Sequence, residues 1–231
     1  MIQINNLSKV YNENTVLNIS VLNIQNGESF GLVGNNGAGK TTLFRLILDL
    51  IEATSGEVLI DNKTIARRDE WKMMVGSFLD EGFLIDFLTP EEYFNFVGKL
   101  YNKSAGDITQ FLESMKDFFN DEILGGKKLI RDLSKGNQKK VGIAAAILPE
   151  PKILILDEPF TALDPSSQIR LKRLLSDLQE AKGMAMLISS HDLNHVTEVC
   201  KRIVILEKGK IVKDIHRSVD TLKELENYFA V

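Results

Sequence analysis

Gly34-Asn35-Asn36-Gly37-Ala38-Gly39-Lys40-Thr41 is the stretch on which the reading of the fold turns. It fits G-x-x-x-x-G-K-[ST] and lies between a short apolar strand, Ser29 to Val33, and a segment carrying helix-spaced Leu43, Leu46, Ile47 and Leu50. A strand that ends in a glycine-rich loop and restarts as a helix is the context in which this pattern holds phosphate. Glycines let the backbone wrap so that successive N–H groups point at phosphate oxygens, and the helix adds its positive N-terminal end. Lys40 then suits the β- and γ-phosphates, and the Thr41 hydroxyl suits Mg²⁺. Thr42, the next residue, joins the candidate nucleotide-binding set.

A second stretch agrees with the first. Ile153-Leu154-Ile155-Leu156 is wholly apolar, the mark of a buried parallel strand, and it runs directly into Asp157-Glu158-Pro159. Open α/β sheets place their ligands at the C-terminal ends of such strands. Asp157 there suits the Mg²⁺ shell. Glu158 suits a general base that orients and deprotonates an attacking water.

Working outward, the opening segment to about Phe30 alternates apolar and polar residues (Ile2, Ile4, Val16, Ile19, Val21, Ile24), which predicts antiparallel strands with one solvated face. Val58 to Ile60 reads as a further strand. Thr89-Pro90-Glu91-Glu92 is a capping box with Pro at the first helical position, so a helix begins there and runs toward Tyr101. Ser104 opens a second helix with Ile108, Phe111, Leu112 and Met115 on one face. Ser134 caps a third, which Pro149 stops near Leu148. We therefore expect a catalytic α/β core from residues 1–81 and 151–231, with a helical lobe at 82–150 inserted into it. After the lobe come a helix from Asp164-Pro165 to Gly183, a strand from Met184 to Ser189, and a helix from Leu193 to Cys200. A hairpin turning at Glu207-Lys208-Gly209-Lys210 follows, then a helix from about Val219 to Phe229.

Bulk properties narrow the function classes. The 231 residues are 44% hydrophobic and 26% charged with a net charge of −4, so no global basic field draws the chain to nucleic acid. The single Cys200 excludes an internal disulfide and any cysteine-cluster metal site. The N-terminus reads as a strand rather than a signal peptide. No apolar run approaches the ~20 residues that span a bilayer, so any membrane span has to come from another chain.

Leu133-Ser134-Lys135-Gly136-Asn137-Gln138, ahead of the Asp-Glu strand, resembles the signature sequence of ABC ATPases, Leu-Ser-Gly-Gly-Gln in its commonest form. The remaining elements follow in that family's order. Ala162-Leu163-Asp164 is similar to its D-loop, His191 to its switch histidine, and Tyr11 to the aromatic that stacks on adenine. The resemblance covers essentially the whole chain, and it implies a P-loop core with an N-terminal antiparallel β-subdomain. It also implies a head-to-tail dimer, as homodimer or with a close relative, in which each ATP lies between one P-loop and the other subunit's signature helix. The nucleotide-binding set it implies comprises Tyr11, Val16, Gly34 to Thr42, Ser134, Gly136 and Asn137. Lys40, Glu158, His191 and Asp80 are the catalytic candidates, and Thr41, Asp157 and Asp80 the metal candidates. Lys135 and Asn137 depart from the commoner Gly and Gln. Asp80, in Gly76-Ser77-Phe78-Leu79-Asp80-Glu81, stands where the family has the Q-loop glutamine, and either Asp80 or Glu81 can take that place. These variants look like those of drug- and peptide-efflux exporters. The resemblance thus implies a polytopic membrane permease as partner, with this chain on the cytoplasmic face of the cell membrane. The alternative is a single-cassette ATPase serving a soluble cytoplasmic assembly complex.

Three further expectations concern surfaces. His195 and His216 carry no motif and read as solvated. Lys127, Lys128, Arg131, Lys135, Lys139 and Lys140 could help hold nucleotide or a partner, and read rather as a charged helical face. Gly82 to Leu88, with Phe94 and Phe96, either lines a groove for a partner's helix or closes the lobe's own core.

Overall fold

The computed structural model describes residues 1–230. Alternating apolar residues build a long hairpin, β1 (Ile2–Tyr11) and β2 (Asn14–Ile24), turning at Asn12 and Glu13, both with positive φ. Then come β3 (Ser29–Val33), the glycine-rich loop and α1 (Lys40–Ile47). β4 (Ser55–Ile60) and the short β5 (Lys63–Thr64) return against the hairpin. One 3₁₀ turn precedes β6 (Val75–Phe78), and another, Glu81–Phe83, follows it.

Helices occupy the chain from there to residue 147: α2 (Pro90–Leu100), α3 (Ala105–Ser114), α4 (Lys116–Phe119) and α5 (Lys135–Ile147). Thr89 and Ser104 close reciprocal capping boxes with Glu92 and Asp107, satisfying two otherwise orphaned donors at each helix start. The α/β alternation then resumes with β7 (Ile153–Leu156), α6 (Pro165–Lys182), β8 (Ala185–Ser190), α7 (Leu193–Val199), β9 (Arg202–Glu207), β10 (Lys210–His216) and α8 (Thr221–Phe229).

Two sheets result, ordered β2-β1-β4-β5 and β10-β9-β3-β8-β7-β6. The first is antiparallel throughout. In the second only the edge strand β10 is antiparallel. The period-2 geometry of a strand sends alternate side chains to opposite faces. Accordingly Leu154, Leu156, Met186, Ile188, Ile203 and Ile205 join a core shared with the helical stretch. Their neighbours Ile153, Ile155, Leu187 and Val204 join a second core with α1 and the hairpin. The parallel register aligns Val33 with Ser190, Phe78 with Leu156, and Leu156 with Ile188. Every loop that leaves these strands therefore starts from one edge of the sheet.

Glu150, with positive φ before β7, ties the helical stretch to the core. It accepts from Lys103 at 2.7 Å and from Lys182 at 2.5 Å. Those two ammonium groups lower the Glu150 carboxyl from 4.5 to about 2. Because the folded value lies below the unfolded one, the tie is fully present above about pH 4.5 and is lost as pH falls toward 2. Half-exposed ion pairs contribute little, about 1 kcal/mol at most. Glu150→Gln should lower the urea midpoint slightly at pH 7, and the difference from wild type should shrink below pH 4.5.

Candidate active site

The sharp turn after β3 needs glycine. Gly39 sits at φ +107°, where a Cβ would lie 3.0 Å from the Val16 carbonyl oxygen. A Cβ at Gly34 would come within 2.3 Å of the Leu206 carbonyl oxygen. The loop is thus pressed between β2 and β9, with Gly37 facing open space. Lys40 is buried, 7% exposed. Its Nζ donates to the Gly34 carbonyl at 2.6 Å and stands 3.4 Å from Glu158 Oε1.

From the neighbouring strand ends come the acidic groups. Asp157 is buried, and its backbone N–H donates to the Phe78 carbonyl. Thr41 Oγ1 donates to its Oδ2 at 2.5 Å, and Ser189 Oγ donates to Oδ1. A hydroxyl and a carboxylate oxygen side by side form a hard-oxygen pair of the kind Mg²⁺ selects. Among the described residues no cluster of three or more His, Cys, Asp or Glu could hold a metal. Glu158 adopts the left-handed conformation, φ +47°, and its N–H donates to Ser189 Oγ at 2.9 Å. Glu158 Oε2 accepts from the His191 backbone and lies 2.9 Å from His191 Nδ1. Lys40, Thr41, Asp157, Glu158 and His191 therefore form one connected cluster.

The other candidates lie around it or apart from it. The backbone of Val16 abuts Gly39, while Thr42 continues α1. Tyr11 is half exposed at the end of β1, with Lys9 Nζ 4.7 Å from its ring centroid. Asp80 follows β6 and caps the 3₁₀ turn, accepting from Gly82 N at 2.7 Å, whereas Glu81 turns toward Lys139 at 3.6 Å. Ser134 is exposed and caps α5, accepting from Asn137 N. Gly136 packs so closely that a Cβ would meet the Ala162 carbonyl oxygen at 2.7 Å. Among the described residues, no hydrogen bond joins Ser134, Gly136 or Asn137 to the Gly34–Thr42 loop. Asp164 caps α6, and bonds from Ser167 and Ser166 hold its carboxyl far below the usual carboxylate range.

Two surface expectations are corrected, and a third, left open between two alternatives, divides between them. Lys139 and Lys140 are not a charged face: both are buried, because α5 is covered on all sides beyond its first turn. Burial pushes Lys139 below the usual ammonium range, and Glu81 pulls it partly back. Lys140 reaches Glu122 at 3.1 Å. His195 is not solvated: its ring centroid lies 4.5 Å from that of Phe160, and burial lowers its pKa. Phe94 closes the core, whereas Phe83, Phe87 and Phe96 are exposed. Phe83 and Phe96, with Leu84 and Tyr93, line a groove of about 370 Å³ between β6 and the helical stretch. Sequence reasoning missed Ser189 and Thr161. The first sits at a strand end one residue ahead of the Ser190-His191 turn, a position the strand-end rule could have flagged.

The family model described as "ABC transporter" matches residues 17–161. The chain is 32% identical to the lantibiotic transport ATP-binding protein SrtF of Streptococcus pyogenes over 231 residues, covering 99% of this chain and 96% of that one. It is 33% identical to an uncharacterized ABC transporter ATP-binding protein of Synechocystis, sll0415, covering 89% of this chain but spanning only 60% of that protein's length. Among solved structures it resembles the dimeric post-hydrolysis state of the ATP-binding cassette MJ0796 bound to ADP and Pi. The TM-score there is 0.82 at 28% identity, covering 94% of this chain and 99% of that chain. Among the described residues no helix is long and apolar enough to cross a membrane.

Proposed function

The chain belongs to the ABC transporter family and is an ATPase, and from that premise we propose that it works as one half of a head-to-tail pair energising a membrane exporter. The observation that carries the pairing is the exposed first turn of α5. Its leading N–H groups and Ser134 form an anion site at a helix N-terminus, yet they share no hydrogen bond with the Lys40–Glu158 cluster of the same chain. A second subunit, copy or relative, would bring that turn onto the γ-phosphate. The dimeric state of MJ0796 supports this arrangement.

In this reading Gly34 to Thr42 wrap the phosphates, Lys40 neutralises their charge, and Tyr11 and Val16 flank the adenine. Asp157, Thr41 and either Asp80 or Glu81 would hold Mg²⁺, which supplies Lewis-acid charge stabilisation at the phosphates when bound. Glu158 takes the proton of the attacking water, and His191, 2.9 Å away, orients that carboxylate and faces the developing charge.

We take residues 82–150 as the lobe that transmits this cycle, and the groove beside it as the seat for a helix of a polytopic permease. That would hold the chain on the cytoplasmic face of the membrane. The relative named for lantibiotic transport supports the transport role, and the Lys135 and Asn137 variants support the outward direction. Exposed aromatics on the groove walls support a docking surface there. Leu84 packs against the core, so the test uses Phe83→Asp with Phe96→Asp, both exposed. The pair should abolish co-purification of a detergent-solubilised membrane protein while leaving ATP binding unchanged. Retention of that partner would refute the groove as the docking seat.

A further inference from the structure

Lys139 holds a place that the scheme above leaves unused. Its buried side chain runs from the second turn of α5 toward the loop after β7. There its Nζ donates to the Glu158 backbone carbonyl at 2.9 Å and to Thr161 Oγ1 at 2.7 Å. Thr161 donates to the same carbonyl through Oγ1 at 2.8 Å and through its backbone N–H at 3.3 Å, so one oxygen accepts three bonds. On its other side Lys139 pairs with Glu81 at 3.6 Å, the first residue of the 3₁₀ turn that carries the groove residue Phe83.

Glu158 occupies the left-handed region at φ +47°, which a non-glycine residue keeps only where its surroundings over-determine it. Around it, the Ser189 hydroxyl fixes the N–H and His191 meets the carboxylate, while Lys139 and Thr161 fix the carbonyl. The side chain that grips this turn therefore comes from the helix that carries the signature sequence. It is also bound to the loop that leads into the groove.

We propose that Lys139 is a positioning residue for hydrolysis: its ammonium holds the Glu158–Thr161 turn in the conformation that aims the Glu158 carboxylate and ties that turn to Glu81. This rests on the reading of Glu158 as general base. Displacements of about 1 Å in a catalytic group cost up to about 100-fold in rate, so loss of the grip should appear in turnover rather than in nucleotide binding.

The test is steady-state phosphate release by the full chain with Mg-ATP, with circular dichroism and the urea midpoint confirming the fold of each variant. Lys139→Met keeps the stem and removes the ammonium; kcat should fall about 10- to 100-fold with KM within about twofold of wild type. Lys139→Arg, which can still donate to the carbonyl, should recover most of the loss. In a Glu158→Gln background Lys139→Met should cost nothing further, because the group it aims is gone. The proposal is overturned if Lys139→Met keeps kcat while Glu158→Gln loses it, or if Lys139→Met costs the same factor in both backgrounds. It is equally overturned if kcat, KM and the urea midpoint all deteriorate and Arg restores none of them. Turnover retained by Glu158→Gln itself is a separate result: it removes the general-base reading and this proposal with it.

Discussion

Replacing Glu158 by Gln should lower ATP turnover by about 10²- to 10⁴-fold, the range for removing a positioned general base, while ATP still binds. Gln preserves the side chain's length and can still accept from the His191 backbone N–H through its amide oxygen, so the turn is kept. It removes the one basic oxygen pair that faces both Lys40 and His191. The carboxylate also stands 3.4 Å from the Lys40 ammonium, so its neutralisation leaves that cation freer for phosphate. Binding should therefore be as tight as in wild type or tighter, giving a loss in kcat without a rise in KM. Phosphate release and equilibrium nucleotide binding, measured side by side, check both halves. Turnover near wild type would place the base elsewhere in the cluster.

Ser134→Arg should bring turnover close to background while nucleotide binding by the isolated chain is retained. Among the described residues the Ser134 side chain makes one hydrogen bond, accepting from Asn137 N at 3.2 Å as the cap of α5, and caps of this kind contribute about 1 kcal/mol. The fold should therefore survive. What the substitution changes is the outward face: a long guanidinium replaces a small hydroxyl where a second subunit's nucleotide would approach. Ser134→Ala, which loses the cap without adding bulk, should cost much less. A dimer trapped by ATP in the Glu158→Gln background should be visible by size-exclusion chromatography and should vanish when Ser134→Arg is added. Undiminished turnover by Ser134→Arg would end the composite-site reading.

Much of this chain is legible without coordinates because its signals are local. The glycine spacing before Lys40 reports a backbone that must curl, and the structure adds the reason each glycine is needed: Val16 and Leu206 carbonyls leave no room for a Cβ. Thr89, Ser104 and Asp164 announce their helices because capping is chemistry between residues three apart. The apolar run at Ile153 to Leu156 announces a strand buried on both faces. Each of these readings needs only the physics of a few neighbouring residues.

The readings that failed or stayed open were about surroundings. Lys139 and Lys140 belong to a stretch that looks solvated by charge alone, and only the packing around α5 reveals that both are buried. His195 lacks any motif, yet the turn after Glu158 brings Phe160 against its ring. Phe94 and Phe96 are two residues apart on one helix, and the helix period sends the first into the core and the second to the groove.

The sequence by itself determined the local elements, their order along the chain and the chemical types gathered in each motif, because backbone sterics, capping and periodicity act over a few residues. The tertiary structure alone decided which motifs meet. The parallel register of β3, β8, β7 and β6 brings the loops after Val33, Ser190, Leu156 and Phe78 to one sheet edge. It joins Lys40 and Thr41 to Asp157, Glu158 and His191, and leaves Ser134 exposed, with no hydrogen bond to that cluster among the described residues. Strand pairing across more than a hundred residues depends on what the intervening chain can bury, and no short stretch of sequence carries that information.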